Sequence, residues 1–206
     1  MKQESKGLMV VLSSPSGAGK TSLCKKIIKN DKNTILSVSV TTRPKRKSEI
    51  EGKDYFFLNE KIFLDKKNNG FFIETAKVFD YFYGTPKDFV ESTLSKGKDI
   101  IFDIDWQGTQ KLIDYSRRDL VSIFILPPST SELKKRLKQR AEDSDQIVEK
   151  RMAKARSEIS HWIEYDYVLI NDNIDKCLDQ IFLIIRAERL KRFRQTNIFD
   201  FVEKLS

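Results

Sequence analysis

Short apolar runs, each closed by small or charged residues, set the rhythm of this chain. Residues 8–13 are apolar and end in a small, Gly-containing loop, after which residues 20–30 carry Leu23, Cys24, Ile27 and Ile28 at helical spacing. That order predicts a strand, a loop and a helix. A second strand is predicted over 35–40, where Ser alternates with apolar residues, and it stops at the basic segment 41–47, because Pro44 cannot sit in a central strand. Between Asp54 and Tyr83 the chain turns aromatic in short bursts, which predicts small antiparallel strands and an inserted sub-domain. Pro86 opens a helix bearing Phe89, Val90 and Leu94, and Gly97 closes it. Further alternation follows: strand 99–104, helix 107–115, strand 120–126, a helix from Ser129, strand 167–170 and a last helix over 174–194. Strands alternating with helices imply a parallel sheet covered on both faces. Residues 140–161 are rich in charge, as suits a solvated, mobile helical flap.

Composition narrows the class. A chain of 206 residues forms a sizeable core and fits one domain whose parts can move against each other. No apolar run approaches the roughly 20 residues that span a bilayer, and the polar start of the chain is followed by too short an apolar stretch for a secretory signal. The expectation is a cytoplasmic protein with no membrane partner. Cys24 and Cys177 have no metal-type spacing and read as buried, inert thiols. The net charge of +8 suits any polyanionic partner, nucleotides included. A nucleic-acid binder would need its basic residues in one stripe interleaved with exposed aromatics, and they are not distributed that way.

The segment Ser14-Pro15-Ser16-Gly17-Ala18-Gly19-Lys20-Thr21-Ser22 lies between the first strand and the first helix, the setting of a phosphate-binding loop. Gly17 and Gly19 let backbone N–H groups turn inward, the helix N-terminus favours negative charge, and Lys20 can reach the outer phosphates. Thr21 can ligate Mg²⁺ through its hydroxyl. Ser14 stands where the usual pattern has Gly. Asp103 ends an apolar strand, where such enzymes keep an acidic residue near Mg²⁺, directly or through water. Asp105 follows two residues later on the same side, and reads equally as a helix N-cap.

Several separated motifs then occur in one order: Ser37-Val38-Ser39-Val40-Thr41-Thr42-Arg43-Pro44-Lys45-Arg46, Glu51-Gly52-Lys53-Asp54-Tyr55-Phe56-Phe57, Glu74, Tyr83-Gly84-Thr85, Asp103-Ile104-Asp105-Trp106-Gln107-Gly108 and Arg151-Met152. Together with the phosphate loop they resemble the guanylate kinases over nearly the whole chain. The resemblance implies a three-layer α/β P-loop fold: a parallel core sheet (about 7–40, 98–135 and 161–206), an inserted small mixed α/β GMP-binding region (about 41–97) and a helical lid (about 136–160). It implies transfer of the γ-phosphoryl group of ATP to GMP with Mg²⁺ as cofactor, with dGMP a further candidate acceptor.

Residue by residue, the resemblance implies that ATP is held by residues 14–22 with Asn171 at the donor base. Arg43, Arg46, Tyr55 and Tyr83 hold the GMP phosphate. Glu74, Ser39, Thr85 and Asp105 read guanine, and Thr21 and Asp103 serve the metal. Lys20, Arg43, Arg136, Arg140 and Arg151 surround the transferred group. The chemistry suits these roles, since guanidinium forks match phosphate oxygens. One carboxylate accepts both the N1–H and the N2 amino group of guanine, whereas adenine presents a lone pair at N1. By themselves Arg43 and Arg46 also suit a solvated loop, and Tyr55 and Tyr83 suit packing. Ala141 departs from the family's Gly after Arg140. His161, the single histidine, reads as structural. Two other readings stay open on sequence alone: a kinase for a different nucleotide, and an interaction module built on the same fold.

Overall fold

The apolar run near the start becomes β1 (Met9–Ser13), in which every residue is buried. It lies at the centre of a five-stranded sheet ordered β2 (Thr34–Leu36), β7 (Asp99–Asp103), β1, β8 (Leu120–Leu126), β9 (Tyr167–Ile170), with every pairing parallel. The computed structural model describes residues 6–47, 49–78, 80–140 and 145–205, and the side chains of all of these except 140 and 145–147.

Strand alternation sends neighbouring side chains to opposite faces, which makes three layers. Leu8, Val10 and Leu12 pack with α1 (Lys20–Asn30) and α7 (Ile174–Arg189) through Leu23, Ile27, Ile181 and Ile185. Met9 and Val11 pack on the other side with Val90 and Leu94 of α3 (Lys87–Ser95) and Leu112 of α4 (Trp106–Ser116). Each such fully buried aliphatic side chain contributes roughly 1.5–3 kcal/mol relative to exposure. A third apolar cluster, Leu133, Leu137, Val148, Met152 and Ala155, joins α5 (Thr130–Arg140) to α6 (Asp145–Ile159) and belongs to neither main face. These two helices thus cohere with each other before they cohere with the sheet.

A second sheet, ordered β4 (Phe56–Phe57), β3 (Val40–Thr41), β6 (Tyr81–Pro86), β5 (Phe72–Val78), is inserted between β2 and α3. It agrees with the mixed α/β region that the resemblance implies and differs in two respects from the antiparallel strands that the aromatic bursts predict. The β3–β4 pairing is parallel, so the sheet is mixed rather than antiparallel. It also carries a helix, α2 (Glu60–Asn68), that the aromatic pattern concealed. Asn59 caps α2 by accepting from Ile62 N at 2.9 Å, and Lys66 and Lys67 sit in its last turn beside the carbonyl dipole. Phe63 is the residue that makes the helix pay in packing terms, fully buried with its ring 4.7 Å from Phe72 and 5.5 Å from Phe82.

Two other boundaries move. The strand expected over 35–40 is divided: Ser37 N still bonds Ile101 O at 2.9 Å, but Val40 already pairs with Gly84 and Phe56 in the second sheet. The last helix ends at Arg189 rather than 194, and the chain then forms a short turn and α8 (Ile198–Glu203). The turn brings Arg194, only 2% exposed, back to Glu188 at 3.4 Å, while Lys191 pairs with the same carboxylate at 2.7 Å.

The edge of the sheet is fastened by Arg189, whose guanidinium reaches Asp99 at 2.6 Å and Asp31 at 2.5 Å. Asp99 is 1% exposed and also accepts from Leu8 N at 2.8 Å, so α7, β7 and β1 meet at one carboxylate. Burial drives the Asp99 pKa upward, and Arg189 opposes it. Arg189→Met is expected to leave that carboxylate without its cation and to lower unfolding free energy by about 2–3 kcal/mol in urea titrations at pH 7.

Candidate active site

Parallel sheets place their ligands beyond the C-terminal strand ends. Here the ends of β1 and β7 open into a cleft of about 600 Å³ lined from both sheets and from α5 and α6.

On one wall the loop 14–19 turns from β1 into α1. Gly17 and Gly19 have φ of 92° and 100°, a left-handed conformation that side chains disfavour. Gly19 must also lack a Cβ for space, since one would lie 2.5 Å from Asn171 Nδ2. That carboxamide donates to Ala18 O at 2.7 Å, so Asn171 buttresses the loop from beneath. Its backbone carbonyl accepts from Arg136 Nη2 at 3.4 Å, and the three residues Gly19, Arg136 and Asn171 border a second recess of about 460 Å³.

Lys20 Nζ lies 3.0 Å from Asp103 Oδ1 and donates to Ile104 O at 2.6 Å. Burial penalises the ammonium, but the Asp103 carboxylate outweighs that and holds the Lys20 pKa above its usual value. Thr21 Oγ1 donates to Asp103 Oδ2 at 3.0 Å. A hydroxyl and a carboxylate side by side are hard oxygen donors suited to Mg²⁺. Among the described residues no cluster of three or more His, Cys, Asp or Glu side chains could cage a metal. The pair therefore fits an ion that takes its other ligands from phosphate and water.

The opposite wall comes from the inserted sheet. Arg46, Tyr55, Tyr83 and Ser39 line the cleft there. Arg43 is held by Glu49 at 2.6 Å, and the same carboxylate accepts from Arg46 N at 2.8 Å. Burial alone would lower the Arg43 pKa, and hydrogen bonds to Glu49 and Tyr83 raise it, so the group stays charged. Its guanidinium stands 5.4 Å from the centre of the Tyr55 ring, which in turn meets Tyr83 edge-on at 6.0 Å. Burial pushes the Tyr55 hydroxyl up to about 12, so it remains a neutral donor.

Deeper in the cleft, Glu74 is 4% exposed, and its Oε1 accepts from Thr85 Oγ1 at 2.7 Å. Burial raises its pKa to about 7. Asp105 caps α4, its Oδ1 accepting from Gly108 N at 3.1 Å, and it also lines the cleft. The helix-cap reading of that residue is thus observed, and the same side chain stands at the cleft.

The α5–α6 pair closes a third side. Arg136 is oriented by Glu132 at 2.9 Å and borders both recesses. Arg151 is half-buried on α6 outside the cleft lining, and the Arg140 guanidinium lies outside the described residues. From α6 the cleft is lined by Lys154 and Glu158, and Glu158 Oε2 accepts from Ser16 N at 3.1 Å. Sequence reasoning passed over both, although they follow Arg151 by three and seven residues and so share one helical face. It also passed over Glu49, for which no local pattern gives a signal. His161 stacks flat on Trp106 at 3.8 Å and bonds Glu164 at 2.6 Å, a structural contact joining the end of α6 to the start of α4.

Comparison with known proteins bears on this arrangement as a whole. Residues 6–188 match the family model described as guanylate kinase. A guanylate kinase of Nitrobacter winogradskyi is 52% identical over 98% of this chain and 92% of that protein, and one of Paramagnetospirillum magneticum is 51% identical over 97% and 94%. Among solved structures, the guanylate kinase from Anaplasma phagocytophilum superposes with a TM-score of 0.83 at 40% identity, covering 98% of this chain and 96% of the other. A match that runs through both walls of the cleft and the helices above it leaves one assignment: this chain belongs to the guanylate kinase family.

Proposed function

We propose that the protein transfers the γ-phosphoryl group of ATP to GMP, giving ADP and GDP, with Mg²⁺. The observation that carries this reading is the joining, within one cleft, of a phosphate loop with its lysine and a buried carboxylate suited to guanine. An oxygen of the GMP phosphate attacks the γ-phosphorus while the bond from that phosphorus to the β–γ bridging oxygen breaks, and ADP leaves with the electron pair. Backbone N–H groups of 16–20 and the Lys20 ammonium stabilise charge on the donor phosphates. Arg43, Arg46, Tyr55 and Tyr83 hold the acceptor phosphate, and Glu74, Thr85, Ser39 and Asp105 hold the base. Thr21 and Asp103 would hold Mg²⁺, which when bound neutralises phosphate charge. Arg136, with Arg140 and Arg151, completes the cationic surround on closure.

On this reading residues 1–206 form a single domain in three parts, with 41–97 binding GMP and 136–160 acting as the lid. Leu137, Val148, Met152 and Ala155 of the third apolar cluster lie within 136–160 and support a lid whose two helices move together. Free, buried Cys24 and Cys177 support a cytoplasmic setting, and among the described residues no helix is long and apolar enough to cross a membrane.

The test is ADP formation from ATP and Mg²⁺ with GMP, AMP, CMP, UMP or dTMP in turn. Efficient turnover with GMP alone is expected; folded protein that responds to none of them would end the reading.

Glu158 adds a second expectation. Its carboxylate takes the Ser16 amide, a donor of the loop that binds phosphate, and burial raises its pKa. A phosphate and this carboxylate repel and compete for the same loop. Glu158→Gln removes the repulsion, so KM for ATP is expected to fall by about two- to tenfold in steady-state kinetics, with KM for GMP unchanged. A rise in KM for ATP would show that the carboxylate supports the loop instead.

A further inference from the structure

The Glu74 carboxylate is fixed on one side by Thr85, whose hydroxyl donates to Oε1 at 2.7 Å. Its other oxygen, Oε2, faces the first turn of α4, where the residue is Gly108. A Cβ built on Gly108 would lie 3.1 Å from Oε2, and 3.2 and 3.4 Å from Cδ1 and Cβ of Ile104, closer than relaxed contacts. The Ile104 contacts are to a side chain that can turn aside, so the neighbour that matters is the carboxylate of Glu74, which is buried and held by Thr85 on its other oxygen. The α4 turn is itself pinned, since Gly108 N donates to Asp105 Oδ1 at 3.1 Å and Lys111 Nζ donates to the carbonyl of Thr75, the neighbour of Glu74.

Backbone freedom does not explain this glycine. Gly108 is inside a regular helix and is not among the residues with positive φ, so by helix propensity alanine would be the better residue there. What the site uses is the missing side chain. We propose that Gly108 is a specificity-determining position: it keeps open the space in which the Glu74 carboxylate lies against α4, with both oxygens aligned for the two adjacent donors of guanine. It is a positioning residue that acts through Glu74, and the inference rests on the reading of Glu74 as the group that recognises guanine.

The test is a double-mutant cycle of Gly108→Ala and Glu74→Asp, with Glu74→Gln as a control, reading kcat and KM for GMP, IMP and ATP together with Tm. IMP keeps the N1–H donor and lacks the N2 amino group. For Gly108→Ala we expect Tm within a few degrees of the wild type, the gain in helix propensity being offset by the tight contact, KM for ATP within about twofold, KM for GMP raised about tenfold or more, and a narrowed preference for GMP over IMP. Aspartate withdraws the carboxylate by one methylene, so adding Gly108→Ala to Glu74→Asp is expected to raise KM for GMP no further, a non-additivity that a general packing role would not produce. If Gly108→Ala leaves KM and preference unchanged while Glu74→Gln loses them, the inference is wrong and the reading of Glu74 stands. If Glu74→Gln also keeps both, the reading of Glu74 fails. Should Gly108→Ala not fold, folding restored by Glu74→Asp supports the inference, and failure of the double variant as well overturns it.

Discussion

Glu74→Gln is expected to give a protein that is more stable than the wild type at pH 8 and about two to three orders of magnitude poorer in kcat/KM for GMP. Both effects come from one buried carboxyl group. Burial raises its folded-state pKa from 4.5 to about 7. Between those two values the folded protein keeps a proton that the unfolded chain has released, so this group's contribution to stability falls as pH rises through that window. By pH 8 the cost is on the order of 3 kcal/mol. Glutamine has no charge to desolvate, and its carbonyl oxygen can still accept from the Thr85 hydroxyl, which donates to Oε1 at 2.7 Å. It cannot present two acceptors to the paired donors of guanine, and its amino group would face one of them.

The same shift sets a pH dependence. On the proposed reading the ionised form of Glu74 accepts from guanine, so KM for GMP is expected to fall as pH rises from 6 and to level off above about 7. In Glu74→Gln the slope should shrink to what the GMP phosphate, whose second pKa is about 6, contributes in both proteins. Thermal melts at pH 6 and 8 and KM profiles for both proteins check these points together. A wild type that melts higher at pH 8 than at pH 6, with the variant melting below it at both, would show that the carboxylate is stabilised in place and that burial does not dominate its energetics.

What the sequence revealed and what it concealed follow from the range of the interactions involved. The phosphate loop was legible because its signals are local: an apolar strand, two glycines that adopt positive φ, and a helix with Leu23, Cys24 and Ile27 on its inner face. The helix α2 was hidden because aromatic bursts on either side of it read as strands, although Asn59, Lys66, Lys67 and a left-handed Gly70 mark its ends. The departure of the chain from β2 to β3 depends on pairing with Gly84, more than forty residues away, which no window along the chain reports. The side chains proposed to face guanine were singled out through the family pattern. Their energetics were not, since the raised pKa of Glu74 exists only where β5, β6 and α4 close around it. Glu158 went unseen for a related reason, since its carboxylate is committed to Ser16 N, which only the folded chain brings near, whereas Glu49 lies six residues from Arg43 where no helical or strand period reports the pair.

Lys20→Met is expected to lower kcat by about three orders of magnitude while leaving the protein folded and able to bind GMP. The ammonium is placed by two acceptors, Asp103 Oδ1 at 3.0 Å and Ile104 O at 2.6 Å, so it is aimed before any phosphate arrives and needs little reorganisation in the reaction. Methionine occupies similar space but supplies neither the charge nor the three donors. The cost to stability is smaller than for a fully buried pair, about 1 kcal/mol, because the Asp103 side chain is 27% exposed and still accepts from Thr21 at 3.0 Å. The wall proposed to bind guanine does not touch Lys20 through any of these bonds, so affinity for GMP measured by calorimetry should stay within about twofold of the wild type. Lys20→Arg is the stricter variant, since it keeps the charge. A planar fork cannot reproduce a compact ammonium seated between a carboxylate and a carbonyl, and activity should remain at least about a hundredfold down. Full activity in Lys20→Arg would mean that charge alone suffices at this position, and full activity in Lys20→Met would remove the loop from the chemistry altogether.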